Sequence, residues 1–259
     1  MAGELHQALA TDQFVLYYQP LVQFQDGLVR GLEAQVYWRH PVQGLLPRPE
    51  FLPLAEEAGL ALPLGEWVVR QVCRDFKAWA TQGLTVPRVS LNLSARQFRD
   101  PRLAKGLRAI VREADLDPRH LGVAITEDAV MEDPEKAIAV MSQWCSAGVE
   151  TALDEFGAGS SSVSYLKKLP LDVLKIAPLL VRNCHANADD GAWVRAIIDM
   201  THELGVQVVA VGVDSEEQYT FLRLSGCDAY QGAWAGVPLP AAECKPYLVP
   251  LVPPTAAAP

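Results

Sequence analysis

Apolar positions recur along this chain with two different periods. Residues 14–19 (FVLYYQ) and 28–36 (LVRGLEAQV) are strand-like runs, and Gln25-Asp26-Gly27 between them is the turn signal of a hairpin. The spacing then becomes helical: a short helix is predicted over 50–59, and a longer one from residue 63, with Leu64, Trp67, Val68, Val72, Phe76 and Trp79 on one face. Those aromatics read as core rather than as a cofactor box. Strands are predicted at 89–93, 121–126, 150–154, 173–176, 206–211 and near Ala229, and helices at 101–114, 134–147, 192–204 and 215–224. Repeated strand and helix units of this length, with no Pro/Gly/Ser-rich linker between them, predict one α/β domain, a modified TIM-like (β/α)8 barrel rather than an open sheet. The domain is expected over residues 1–245. Residues 246–259 (PYLVPLVPPTAAAP) are Pro/Ala-rich and are expected to be a flexible tail or linker.

Composition narrows the function classes. Half of the 259 residues are hydrophobic, enough for a large core. A formal net charge of -9 argues against a polymeric nucleic-acid partner, because a phosphate backbone selects clustered Lys and Arg. With no bilayer-length apolar run and no basic-then-apolar leader, a cytoplasmic chain without membrane insertion is expected. Its five cysteines are odd in number and widely scattered, so reduced, mostly buried thiols are expected rather than a zinc site or a disulfide framework.

The chemistry of a β/α barrel gathers where its strands end. On that rule the candidate positions are Glu33, Asn92, Ala124, Asp154 with Glu155, Lys175, Val211 and Gln231. Asp154-Glu155, followed by a Gly/Ser-rich loop, is either a carboxylate pair for divalent-ion or phosphate-ester chemistry or a cap on the next turn. Asn92 and Gln231 are equally readable as partners of loop backbone, and Lys175 as the partner of a nearby carboxylate.

Separated motifs then agree in order with one family. Residues 17–20 (YYQP), 32–41 (LEAQVYWRHP), 51–60 (FLPLAEEAGL), 90–98 (SLNLSARQF), 125–128 (ITED), 153–176 (LDEFGAGSSSVSYLKKLPLDVLKI), 208–218 (VVAVGVDSEEQ) and 231–240 (QGAWAGVPLP) resemble the EAL domain, the cyclic di-GMP phosphodiesterase module. The resemblance spans residues 14–240. It implies a barrel whose first strand runs antiparallel, in keeping with the opening hairpin. It also implies hydrolysis of one phosphodiester bond of cyclic di-GMP, with magnesium or manganese held by carboxylates and an Asn. Matched to the family's motifs, Glu33 is the signature Glu, Asn92 the Asn ligand and Asp154 the first Asp of a pair. Lys175 matches the Lys that helps position water, and Gln231 the Gln of the last loop.

The departures from the family pattern concern the metal. Ala124 and Val211 stand where the resemblance implies Glu ligands, Glu155 replaces the second Asp, and Ala177 replaces the Asp after Lys-Ile. Gln35 stands where Leu is usual in the signature, and Tyr37 replaces a phosphate-facing Arg. Two ligand carboxylates lost and a third lengthened give the expectation of a degenerate site with no catalytic residues, no magnesium or manganese and no turnover. Retained polar groups give the expectation of a cyclic di-GMP receptor that uses Gln19, Glu33, Tyr37, Asn92, Asp154, Lys175 and Gln231. Tyr37 would either stack on guanine or turn into the core. The chain is similar in this to receptor-type EAL domains of type IV pilus control, which implies a larger parent and a PilZ-domain protein as partner. The alternatives are a weak metal-dependent phosphodiesterase and a scaffold that no longer binds the nucleotide.

Overall fold

The computed structural model describes residues 2–159 and 163–250. A helix, α1 (Ala2–Ala10), precedes the expected hairpin of β1 (Phe14–Gln23) and β2 (Val29–His40). Gly27 turns that hairpin at φ 71°, and Asp26 Oδ1 accepts from the Leu28 N–H. The strands pair antiparallel from Phe14–Trp38 to Val22–Val29, with a register shift between Leu21 and Val22. β3 (Gly44–Pro47) folds back on β2 and leads into α2 (Arg48–Glu57) and the long α3 (Ala61–Thr81).

After a short β4 (Leu84–Thr85) the strand and helix units follow: β5 (Val89–Asn92), α4 (Ala95–Arg99), α5 (Pro101–Glu113), β6 (Leu121–Thr126), α6 (Glu127–Met131) and α7 (Pro134–Ser146). Then come β7 (Glu150–Phe156), α8 (Val163–Leu166), β8 (Val173–Ile176), α9 (Pro178–Val181), α10 (Ala188–Glu203), β9 (Gln207–Val211), α11 (Glu216–Leu224) and β10 (Ala229–Gln231). Strands β2, β5, β6, β7, β8, β9 and β10 pair parallel in that order, and β1 closes the ring antiparallel to both β2 and β10. The result is the expected α/β TIM-like barrel of eight strands with an antiparallel first strand.

Side chains alternate across this wall. Outward residues such as Tyr18, Trp38, Val123 and Leu174 pack into the helix layer with Phe51, Trp79, Trp144 and Ile198. Inside the barrel, Leu21, Ala124, Ala152, Val173, Val209 and Ala229 form a floor of small apolar residues, with Val211 packed against it. Beneath the floor Glu150, 8% exposed, is clamped by Arg30 at 2.6 Å and by Arg88. The polar residues of interest therefore sit in the next layer up, at the carboxyl mouth.

Several boundaries differ from those the periodicity predicts. α10 begins at Ala188 rather than 192, because Asn187 caps it through the Asp189 and Asp190 N–H groups and its first turn is polar. Of the expected tail, residues 246–250 are among those described. There β12 (Val249–Pro250) pairs with β4, and Tyr247 donates its hydroxyl to the Val237 carbonyl. Residues 251–259 of that tail, like residues 160–162 of the Gly/Ser loop, lie outside the described residues. A two-residue strand, β11 (Leu239–Pro240), completes the elements by pairing with β1.

Candidate functional site

The period of two along β2 places Glu33, Gln35 and Tyr37 on one face, where all three line a cavity of about 230 Å³ with Asn92 of β5. Tyr37 is half-buried in that cavity, not in the core, and its ring lies 4.9 Å from that of Tyr17. Across the hairpin Gln19 is the register partner of Glu33. Gln231 ends β10 and reaches the same mouth, where its amide donates to Gln19 Oε1 at 3.2 Å.

Two linked polar systems occupy this layer. In the first, Lys175 from β8, 3% exposed, pairs with Glu33 Oε2 at 2.5 Å and lies 3.9 Å from Asp154 Oδ2. In the second, the Gln35 amide donates to Gln19 Oε1 at 2.9 Å and to Glu33 Oε1 at 3.3 Å, and Gln19 donates to the Gly236 carbonyl. Burial works to raise the Glu33 carboxyl. The Lys175 charge and hydrogen bonds from Lys175, Asn92 and Gln35 outweigh it, holding the carboxyl below the ordinary 4.5. Burial likewise works to lower the Lys175 pKa, and Glu33 and Asp154 more than reverse it. At neutral pH the pair is therefore ionised.

Asn92 gives its amide to Glu33, and its Oδ1 is buried without a partner. Gln231 Oε1 is in the same condition. An unpaired buried acceptor is costly, so these two atoms mark places where a donor or a cation is wanted. Sequence reasoning placed Glu33, Asn92, Asp154, Lys175, Gln19 and Gln231 together, and the fold brings them together. Gln35 was singled out only as a departure from the family signature, although its position two residues from Glu33 puts it on the same face, and Glu127, whose buried carboxylate accepts from the Gly157 N–H at 3.1 Å, was not among the expected site residues.

Asp154 and Glu155 do not form a symmetric pair. Asp154 faces the mouth, whereas the chain turns at Glu155 into the left-handed region (φ 57°), and the β7–β8 register shifts there. Glu155 is exposed, and burial of its carboxyl together with Asp154 and Asp128 raises its pKa. Among the described residues no group of three Asp, Glu, His or Cys side chains is placed to hold a metal ion. An ion at this mouth would need the Asn92 amide oxygen beside the carboxylates.

Taken together, fold and site define a β/α barrel with a carboxylate, amide and ammonium mouth. The EAL domain profile matches residues 2–238, and the chain belongs to the EAL domain family. It is 38% identical over 240 residues to the bifunctional diguanylate cyclase/cyclic di-GMP phosphodiesterase MucR of Pseudomonas aeruginosa, covering 93% of this chain and 35% of that protein. It is also 38% identical over 237 residues to the cyclic di-GMP phosphodiesterase PdeR of Escherichia coli, covering 92% of this chain and 36% of that one. The chain thus spans about a third of the length of these relatives. The solved PaMucR phosphodiesterase in complex with c-di-GMP superposes with a TM-score of 0.88 over 93% of this chain and 98% of that one. The FimX EAL domain bound to c-di-GMP superposes at 0.83 over 92% of this chain and 95% of that one, but is 24% identical, a likeness of fold alone.

These relatives correct two expectations. A chain with no enzymatic activity and no need of magnesium or manganese was expected from the missing carboxylates. Relatives at 38% identity over most of the chain are named cyclic di-GMP phosphodiesterases, in the family whose hydrolysis depends on those ions. The likeness to receptor-type domains, which accompanied the non-catalytic expectation, is the weaker of the two. The absent carboxylates at 124 and 211 were given too much weight, because Glu33, Asn92 and Asp154 still bring oxygen donors to the mouth. Among the described residues no helix is long and apolar enough to cross a membrane.

Proposed function

We propose that this EAL domain binds cyclic di-GMP at the carboxyl mouth of its barrel and opens one of its phosphodiester bonds, slowly and with a divalent ion. The observation that carries the reading is Asn92, whose buried Oδ1 lacks a partner while its amide holds Glu33. Hard divalent ions take oxygen ligands, and Glu33 of β2, Asn92 of β5 and Asp154 of β7 offer three at the one mouth, so one ion fits. When bound, it supplies an acidified water and charge neutralisation at the phosphate. A second ion does not fit, because Ala124 belongs to the apolar floor, Val211 packs against it, and neither offers a donor. Loss of the two-ion clamp is the reason turnover is slow.

The chain's own residues perform the remaining tasks. Lys175 keeps Glu33 ionised inside the barrel. Gln19, Gln35 and Gln231 form an amide chain that can exchange hydrogen bonds with ribose hydroxyls or guanine edges. Tyr37 offers a ring face to a base, an interaction worth about 1 to 3 kcal/mol. A PilZ-domain partner and a role in pilus control stay outside this reading, because the likeness to FimX carries fold alone.

Incubating the protein with cyclic di-GMP in magnesium, manganese or EDTA and separating the products by chromatography tests the proposal. Linear pGpG should form with either metal and not in EDTA. No product under any of the three conditions would refute it.

A further inference from the structure

The mouth is acidic, whereas its proposed ligand is a dianion. Glu33 and Asp154 face it, the exposed Glu155 stands close enough for its charge to act there, and Lys175, the buried ammonium, is engaged by Glu33 at 2.5 Å. Position 37 carries a neutral ring. The β2–β3 register sets Tyr37 opposite Pro47, so the next residue, Arg48, begins α2 beside that ring. Arg48 lines the same cavity as Glu33, Gln35, Tyr37 and Asn92, and is the only Lys or Arg among the described residues that do so. The carboxylates of Glu33, Asp154 and Glu155 act on its charge across the mouth, as does Glu56. Among the described residues no carboxylate comes within ion-pair distance of its guanidinium. Arg48 is thus a partly buried cation facing an anion site without a counter-ion of its own.

We infer that Arg48 is the phosphate-recognition residue of this mouth, a guanidinium from the start of α2 that takes over where position 37 offers no charge. The inference rests on the reading of the mouth as a cyclic di-GMP site. A guanidinium presents a planar fork of donors that matches two phosphate oxygens, and it offsets the repulsion that three carboxylates exert on the ligand. An Arg two residues beyond Gln35 would approach from the strand, whereas Arg48 approaches from the rim, so the two positions serve one ligand group from adjacent elements.

Calorimetric titration with cyclic di-GMP, in magnesium and in EDTA, tests the inference on the wild-type chain, Arg48→Gln, Arg48→Lys and the double variant Tyr37→Arg with Arg48→Gln. Circular dichroism checks that each is folded. Arg48→Gln should weaken binding roughly ten- to a hundredfold, the range of a lost charge-assisted pair, and Arg48→Lys less, since it keeps the charge and loses the fork. The double variant should return to within about threefold of the wild type, because a guanidinium at position 37 supplies the missing charge and, being planar, also offers the base a stacking face in place of the Tyr37 ring. A wild type that binds with Arg48→Gln within about twofold of it overturns the inference and leaves the ligand assignment standing. A weakened single variant with no recovery in the double one also overturns it, by assigning the loss to local structure. A wild type that fails to bind in either buffer overturns both the assignment and the inference.

Discussion

Glu155 is held in a conformation that suits its side chain poorly. At φ 57° it occupies the left-handed region, in which Asn and Asp are several-fold enriched over other non-glycine residues, and its N–H donates to Asp154 Oδ1 at 2.8 Å. Glu155→Asp should therefore stabilise the fold by about 0.5 to 1 kcal/mol, read as a higher midpoint in urea unfolding. Lys175 and Glu33 give a sharper residue-scale prediction with a pH sign. The Glu33 pKa is depressed in the folded state, so its contribution to stability is complete above the unfolded value near 4.5 and is lost as the pH falls through the lower folded value. In Lys175→Met the carboxylate stays buried without its ammonium partner, at a cost of about 3 to 5 kcal/mol at pH 7. That variant should recover stability as the pH is lowered toward 5, opposite in sign to the wild type. Urea midpoints at pH 7, 5 and 4 separate the two behaviours, and parallel curves would contradict the ion pair.

At the scale of elements, the strand periods made most of the barrel legible, because each strand is short, apolar and bounded by turn residues. The hairpin, β5 to β10 and the helices α3, α5, α7 and α11 fall where periodicity puts them, within a few residues. Short elements such as β3, α4, α6 and α9 were not legible, since four or five residues show no period, and of the three helices only α4 carries a side-chain cap. One of these short elements matters for the site. Glu127 opens α6 and its buried carboxylate accepts from Gly157, which holds the turn after β7 at φ 88°. Glu127→Ala should leave that N–H unpaired, cost about 1 to 3 kcal/mol and speed amide exchange at residues 155–159 over the rest of β7. Unchanged exchange there would show that the turn does not depend on Glu127.

The whole molecule explains why the site was readable only in part. Glu33, Asn92, Asp154, Lys175 and Gln231 stand on five different strands of a barrel, and barrel closure alone brings their side chains to one mouth. Arg48 could not be seen that way, because it reaches the mouth through the β2–β3 register and not from a strand end. The orphaned Asn92 oxygen is likewise a property of packing, invisible in the chain's order. Reading function from missing carboxylates at 124 and 211 gave too strong a conclusion, since those positions bear on how many ions the mouth holds before they bear on whether it holds one.

The direct measurement is the amount of pGpG formed per protein chain in excess cyclic di-GMP, with magnesium and with EDTA, for the wild type beside Asp154→Ala. More than one product molecule per wild-type chain in magnesium, with none in EDTA and none from Asp154→Ala, is the predicted result. Less than one equivalent over many hours, or equal product from Asp154→Ala, would contradict hydrolysis at this mouth.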